Sequence, residues 1–186
     1  EIVTLMTAVN IFDTLWFAPD QRGWIELSCS WAPPLRTAGP LRHIGEYDSA
    51  LGDLPEGTDN IALRAVELLR DRSGAPGGAQ MQLVKRIPSA AGLGGASSDA
   101  AAALTAANLA WQLGWSPQRL ADLAAELGSD VPFFLGPSAA VCRGRGERLE
   151  PAQGLTKLHF VVVRPPEGLS TPEVYRHCRP DQREFP

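Results

Sequence analysis

The stretch best suited to chemistry is Pro88-Ser89-Ala90-Ala91-Gly92-Leu93-Gly94-Gly95-Ala96-Ser97-Ser98-Asp99, lying between an alternating segment and an alanine-rich one. Read as strand, glycine loop and helix, it can turn several backbone N–H groups and the positive end of a helix dipole toward one concavity. Such a concavity suits phosphate. Glycine is required where a ligand approaches the backbone, and Ala96, Ser97 and Ser98 carry the demand for small side chains into the first helical turn. The hydroxyls of Ser97 and Ser98 can also reach a Mg²⁺ that bridges phosphates. No Gly-Lys-Ser/Thr follows, so this is not a Walker A loop, and Ser97 stands at the third glycine of a dinucleotide fingerprint. The plain alternative is a glycine-rich turn that only joins strand to helix.

Asp130 is a second candidate. It follows Gly128-Ser129 and precedes the apolar Val131-Pro132-Phe133-Phe134, a setting in which a carboxylate can accept or orient a hydroxyl proton. An aspartate that binds nearby turn N–H groups is the bland reading. Asn60 and Lys85 flank the loop region, but a helix cap and a strand-end lysine account for them equally well. Tyr175 offers a flat amphipathic ring, although a lone tyrosine is more often packing.

The elements that must position these residues are legible from pattern. Ile2 to Asn10, Asp13 to Ala18 and Trp24 to Ser30 read as strands, the last after a Gln21-Arg22-Gly23 turn. Ala32 to Gly57 is rich in proline and glycine and reads as a long surface loop. Thr58 or Asp59 can cap a helix that runs to Arg70, with Ile61, Leu63, Ala65, Val66, Leu68 and Leu69 on its apolar face. Gln80 to Arg86 alternates as a strand, and Ser97 to Leu113, with Leu104, Leu109 and Trp111, is helix material. Ser116-Pro117 starts another helix, which Gly128 is placed to end in a left-handed conformation. Pro132 predicts an extended Val131 to Phe134. Ala139 to Arg143 and Leu158 to Arg164 read as strands, with Gly144 to Gly146 a turn between them.

Composition excludes several classes. With 44% hydrophobic and 20% charged residues, the 186-residue chain has the mix of a folded globular protein. A net charge of −4 and the lack of a Lys/Arg run argue against a nucleic-acid partner, so an anionic ligand must be met by local features. The longest apolar runs fall far short of the ~18 residues that cross a bilayer, so no membrane association is expected. Cys29, Cys142 and Cys178 suggest neither a disulfide framework nor a zinc site, which fits a reducing, cytoplasmic setting. Glu1 opens directly into an apolar alternation without Met or a signal segment, as if the chain were cut from a longer protein.

Lys85-Arg86-Ile87-Pro88 and Gly92 through Ala101 together resemble the phosphate loop of the GHMP kinases. Asp59-Asn60, Asn108-Leu109 with Trp111, Leu127 through Phe134 and Gly144-Arg145-Gly146-Glu147 narrow the resemblance, in that order, to the 4-diphosphocytidyl-2-C-methyl-D-erythritol kinase family. It runs from Glu1 to about Tyr175 and is weakest from Ala32 to Gly57. The resemblance implies an α+β fold of the ribosomal protein S5 domain 2-like kind. It has a mixed sheet backed by helices over residues 1–156, with a second α+β domain beginning at 157–186. It also implies transfer of the ATP γ-phosphate to the 2-hydroxyl of a cytidine-diphosphate-linked methylerythritol, in the non-mevalonate route to isoprenoids.

On the same resemblance Asp130 is the catalytic residue. Pro88, Ala91, Gly92, Leu93, Gly94, Gly95, Ala96, Ser97 and Ser98, with Asn60 and Lys85, hold ATP. Ser98 is near Mg²⁺, and Tyr175, Thr171 and Ser129 meet the substrate, Tyr175 by stacking on cytosine. Ala96 departs from the family's usual glycine. The family's lysine-bearing first strand and Tyr-His pair would precede Glu1, and its C-terminal half would follow Pro186, so the resemblance implies little or no kinase activity for this chain alone. A GHMP kinase acting on homoserine, mevalonate or a sugar is one rival; a non-catalytic nucleotide-binding module is another.

Overall fold

A computed structural model describes residues 2–33, 51–163 and 171–178. The proposed long loop at 32–57 therefore falls mostly outside the described residues. Among the described residues there are six strands: β1 (Ile2–Thr7), β2 (Thr14–Asp20), β3 (Ile25–Trp31), β4 (Gly78–Lys85), β5 (Ala139–Gly144) and β6 (Arg148–Pro151). The helices described in full are α1 (Ile61–Ser73), α2 (Gly95–Ala110), α3 (Pro117–Ala124) and α4 (Thr171–His177). Short 3₁₀ turns cover Gly57–Asp59 and Val131–Leu135.

The fold is α+β, and the strands form two three-stranded sheets rather than one. In the first, β5 pairs antiparallel with β1 and with β6. In the second, β4 lies in the middle, antiparallel to β2 and parallel to β3. The expected strand at 2–10 stops at Thr7, and the next six residues carry the chain from one sheet to the other. Because β2 and β3 sit on opposite sides of β4, their short connection passes over the start of β4. Ala79 donates its N–H to Trp24 O at 2.8 Å there. A Cβ on Gly78 would lie 2.7 Å from the Trp24 nitrogen, so only glycine fits under the crossing.

Helices α1 and α2 cover the second sheet. Their contact is close because alanines face inward: Ala62 and Ala65 on α1, and Ala100, Ala103 and Ala107 on α2, are fully buried with Val66, Leu69 and Leu104. Leu109 differs from expectation, since at 78% exposure it points away from this core. Trp111 takes its place beyond the helix end, edge-on to Phe17 and donating Nε1–H to Gly78 O at 3.1 Å. Asn108 bonds both the N–H and the carbonyl of Trp115, at 3.0 and 3.1 Å, which fixes the α2–α3 turn.

Three boundaries are corrected. Asn60, not Thr58 or Asp59, caps α1: its Oδ1 accepts from Ala62 N at 3.0 Å, and Gly74 closes the helix at φ 69°. Ser116 caps α3 as expected, but the helix ends at Ala124, and 3₁₀-type bonds such as Leu127 N–H to Ala124 O (3.0 Å) finish it. Gly128 is accordingly not among the left-handed glycines. Val131–Leu135 is a 3₁₀ turn and not extended, because Pro132 occupies an early helical position where no N–H is needed and Val131, Pro132 and Phe133 are buried by the turn.

The expected strand at Leu158 to Arg164 is not formed over its described part, 158–163, where Val161 and Val163 are 92% and 82% exposed. None of the described strands pairs with it. The Gly144 to Gly146 turn is present, with φ of 75° and 115° at its glycines, and it closes a β5–β6 hairpin. Among the described residues no helix is long and apolar enough to cross a membrane.

Candidate active site

The strand-loop-helix order places Pro88 through Gly94 between β4 and α2. Ala90, Gly92 and Gly94 adopt left-handed φ of 53°, 69° and 65°, and such alternation curls successive N–H groups into a concave nest. Gly94 is the residue before α2 and has no side chain to cap it, so the first N–H groups of a sixteen-residue helix are left for a ligand. The glycines have packing reasons as well. A Cβ on Gly94 would lie 2.8 Å from Phe134 Cζ, and one on Gly95 would lie 2.8 Å from Ile87 Cγ2, whereas Gly92 faces open space. Ala96 is exposed within the helix and not left-handed, so the departure from glycine there costs no backbone strain.

Two clefts meet at this loop. One, of about 540 Å³, is lined by Asn60, Lys85, Pro88, the run from Ala91 to Ser97, and Asp130. The other, of about 560 Å³, is walled by apolar side chains including Leu5, Phe12, Phe134 and Phe160, and also by Ser98 and Asp130. Asp130 lines both. It is exposed at the end of the residues that enter the 3₁₀ turn, its Oδ1 accepts from Ser129 Oγ at 3.3 Å, and that oxygen lies 3.4 Å from where a Cβ on Gly146 would be. The Ser98 hydroxyl donates to Gly95 O at 2.7 Å. Thr171 and Tyr175 lie in α4, and their side chains fall outside the described residues.

Asn60 and Lys85 are more committed than their sequence context suggested. Asn60 caps α1 and also donates Nδ2–H to Pro55 O at 3.1 Å. Lys85 is buried, with its ammonium bound to Asp99 Oδ2 at 2.5 Å and to Asp13 Oδ2. Neither aspartate was singled out from the sequence for this role, yet two of the three members of the cluster carry a signal. Lys85 shares strand parity with the buried Ala79, Met81 and Leu83, and Asp99 lies one and two helical turns before the buried Ala103 and Ala107. Burial pushes the Asp99 carboxyl up to about 7, against the pull of Lys85. Two carboxylates on one ammonium carry surplus negative charge, which Asp99 relieves by keeping its proton toward neutral pH. Burial likewise pushes up the Cys29 thiol, on the wall of the smaller cleft.

Residues 60–137 match the family described as GHMP kinases N terminal domain. The chain is 44% identical over 180 residues to a 4-diphosphocytidyl-2-C-methyl-D-erythritol kinase of Pelotomaculum thermopropionicum, covering 97% of this chain and 56% of that protein. It is similar to a crystal structure of 4-(cytidine 5′-diphospho)-2C-methyl-D-erythritol kinase, with a TM-score of 0.64 and 33% identity, over 96% of this chain and 55% of the other. A homoserine kinase from Cytophaga hutchinsonii shares the fold, with a TM-score of 0.59 and 18% identity over 80% of this chain and 44% of that one. The chain spans about half the length of the curated relatives it matches. The glycine loop, the helix it opens and these relatives agree: residues 60–137 match the GHMP kinases N terminal domain, and nearly the whole chain is similar to part of the 4-diphosphocytidyl-2-C-methyl-D-erythritol kinases.

Proposed function

We propose that the protein carrying these residues is an ATP-dependent kinase that phosphorylates the 2-hydroxyl of 4-diphosphocytidyl-2-C-methyl-D-erythritol, in the cytoplasm and within isoprenoid synthesis. The observation that carries the reading is the position of Asp130 on both clefts, one with a backbone-built floor and one with apolar walls. The smaller cleft takes ATP. Its nest and the N-terminus of α2 supply fixed dipoles for the phosphates, with Pro88 and the run from Ala91 to Ser98 around them.

Asp130 faces both clefts, so a hydroxyl held there has a carboxylate to orient it and accept its proton as phosphorus–oxygen bonding develops. Ser129, whose hydroxyl donates to Asp130, steadies that carboxylate. Mg²⁺ fits this surface. No cluster of three or more acidic, His or Cys side chains exists among the described residues, and Mg²⁺ bound by phosphates commonly needs only one or two protein oxygens, for which Ser98 and Asp130 are placed. The ion, when bound, would neutralise phosphate charge. Tyr175 and Thr171 are assigned to the cytidine end on family grounds. We assign 1–156 to the nucleotide-binding domain and 157–186 to the start of a second.

ADP release with ATP and Mg²⁺, measured on a protein with the full length of the relatives, tests the reading against three acceptors: the cytidyl-methylerythritol, homoserine and mevalonate. Turnover with the first alone is expected. Turnover with another acceptor would move the protein to a different GHMP activity, and ATP binding without turnover on any would favour a nucleotide-binding module.

A further inference from the structure

Asp13 makes a set of contacts that binding of a ligand does not require. Its Oδ1 accepts from the backbone N–H of Arg86 and, at 2.9 Å, from that of Ile87, while its Oδ2 takes the Lys85 ammonium. Lys85 in turn holds Asp99 at 2.5 Å. Three segments distant in sequence meet here: the connection before β2, the end of β4 where the loop begins, and the first turns of α2. The three side chains are only 5–7% exposed. The loop rests on this cluster, since a Cβ on Gly95 would lie 3.4 Å from Lys85 Nζ.

A lysine that neutralises phosphate needs its charge free. Here that charge is met by Asp13, and Asp99 also holds the ammonium. Buried ion pairs contribute little net stability compared with apolar residues of the same size, because desolvation offsets their attraction; what such a cluster fixes is geometry. We propose that Asp13 is a positioning residue for the phosphate loop: it ties down the two N–H groups at the loop entrance and turns Lys85 into a pin between loop and α2. On this proposal Lys85 acts as support under the nest and not as the counter-ion of the phosphates. The proposal rests on the phosphate-loop reading above and deepens it.

Hydrogen exchange of the full chain without ligand gives the first arm of the test. In Asp13→Ala, the amides of Ser89 and Ser98, which bond Leu51 O and Gly94 O at the two ends of the loop, are expected to exchange about tenfold faster, while those of α1 and α3 stay within about twofold. Asp13→Asn keeps an oxygen for the two N–H groups but loses the charge, and falls between wild type and Asp13→Ala. The second arm is binding: the ATP Kd rises about 10- to 100-fold in Asp13→Ala, and that for adenosine changes by less than about threefold.

Equal acceleration at all amides, or equal losses for ATP and adenosine, overturns the proposal and leaves Asp13 a fold-stabilising residue. If Asp13→Ala does not fold, Asp13→Asn decides by the same two patterns. Should the wild-type chain take up no ATP, the phosphate-loop reading falls, and exchange alone decides whether Asp13 sets the loop.

Discussion

The two clefts beside Asp130 are nearly equal in volume, about 540 and 560 Å³, but are made of different material. The smaller is floored by backbone, from residues whose φ angles are held positive and whose side chains are small or absent. The larger is walled by side chains from β1, the 3₁₀ turn and residues 160–162. A backbone surface offers polar groups at fixed spacing, whereas a side-chain wall offers shape and can be trimmed. On the proposed reading, the first suits the charged phosphates and the second an apolar or ring-bearing group.

The largest effect should come where the clefts meet. Asp130→Asn, in a protein with the full length of the relatives, is expected to lower kcat by roughly 10²–10⁴ and leave the ATP Kd nearly unchanged, since in the proposed reaction the carboxylate acts on the acceptor hydroxyl. Steady-state kinetics beside ATP titration checks this, and near-normal turnover would reduce Asp130 to a turn residue.

Next in size is the floor of the smaller cleft. Gly94→Val combines left-handed φ with a clash on Phe134, and should weaken ATP binding by about 2 kcal/mol or more. Gly92→Ala has the same backbone strain but open space around it, so about 1 kcal/mol is expected. Equal losses at the two sites, measured by calorimetry on folded variants, would mean that Phe134 does not back the loop and that the clefts are not separated as described.

A smaller effect follows from Asp99. Its folded carboxyl keeps a proton up to about pH 7, while an unfolded one releases it near its ordinary, lower value. The unfolded state therefore binds fewer protons in between, and this group's contribution to stability declines as pH rises toward 7. Asp99→Asn removes that slope, so the Tm of the variant relative to wild type should rise between about pH 5 and pH 8. A constant difference in Tm would show that burial does not govern the cluster.

The smallest concerns Asn60, at the rim of the cleft. Asn60→Ala removes the cap of α1 and should cost about 1 kcal/mol of stability in denaturant melts. A change in ATP affinity without a change in stability would instead make Asn60 a ligand contact.

Much of this site was legible because its parts are local. The glycine loop, the small residues after it and the Ser116 cap are fixed by neighbours within a few positions. Lys85 and Asp99 were also accessible, through strand parity and helical spacing, once a charge on an apolar stripe is taken to need a partner. Asp13 was not: its contacts span more than 70 residues, and no periodicity in its own segment marks it. Pro132 misled because its bias on the preceding residue is a preference that burial of Val131 and Phe133 outweighs. The division of the strands into two sheets was hidden for a similar reason, since β2 and β3 are adjacent in sequence yet each pairs only with β4 in their sheet.

That last arrangement governs the order in which the molecule can assemble. A tight connection usually lets two strands zip together as a hairpin within microseconds, but here the space between β2 and β3 must stay open for a strand that begins at Gly78. In this sheet no early nucleus is available from pairing of strands adjacent in sequence. During synthesis β2 and β3 leave the ribosome with their inward edges vacant and wait for residues up to Lys85, with α1 already made, before the sheet can close. In that interval the exposed edges can capture any extended segment, including one from another nascent copy. The glycine under the crossing thus does more than relieve a clash in the finished protein, because it is the residue with which the arriving central strand slips beneath the β2–β3 connection.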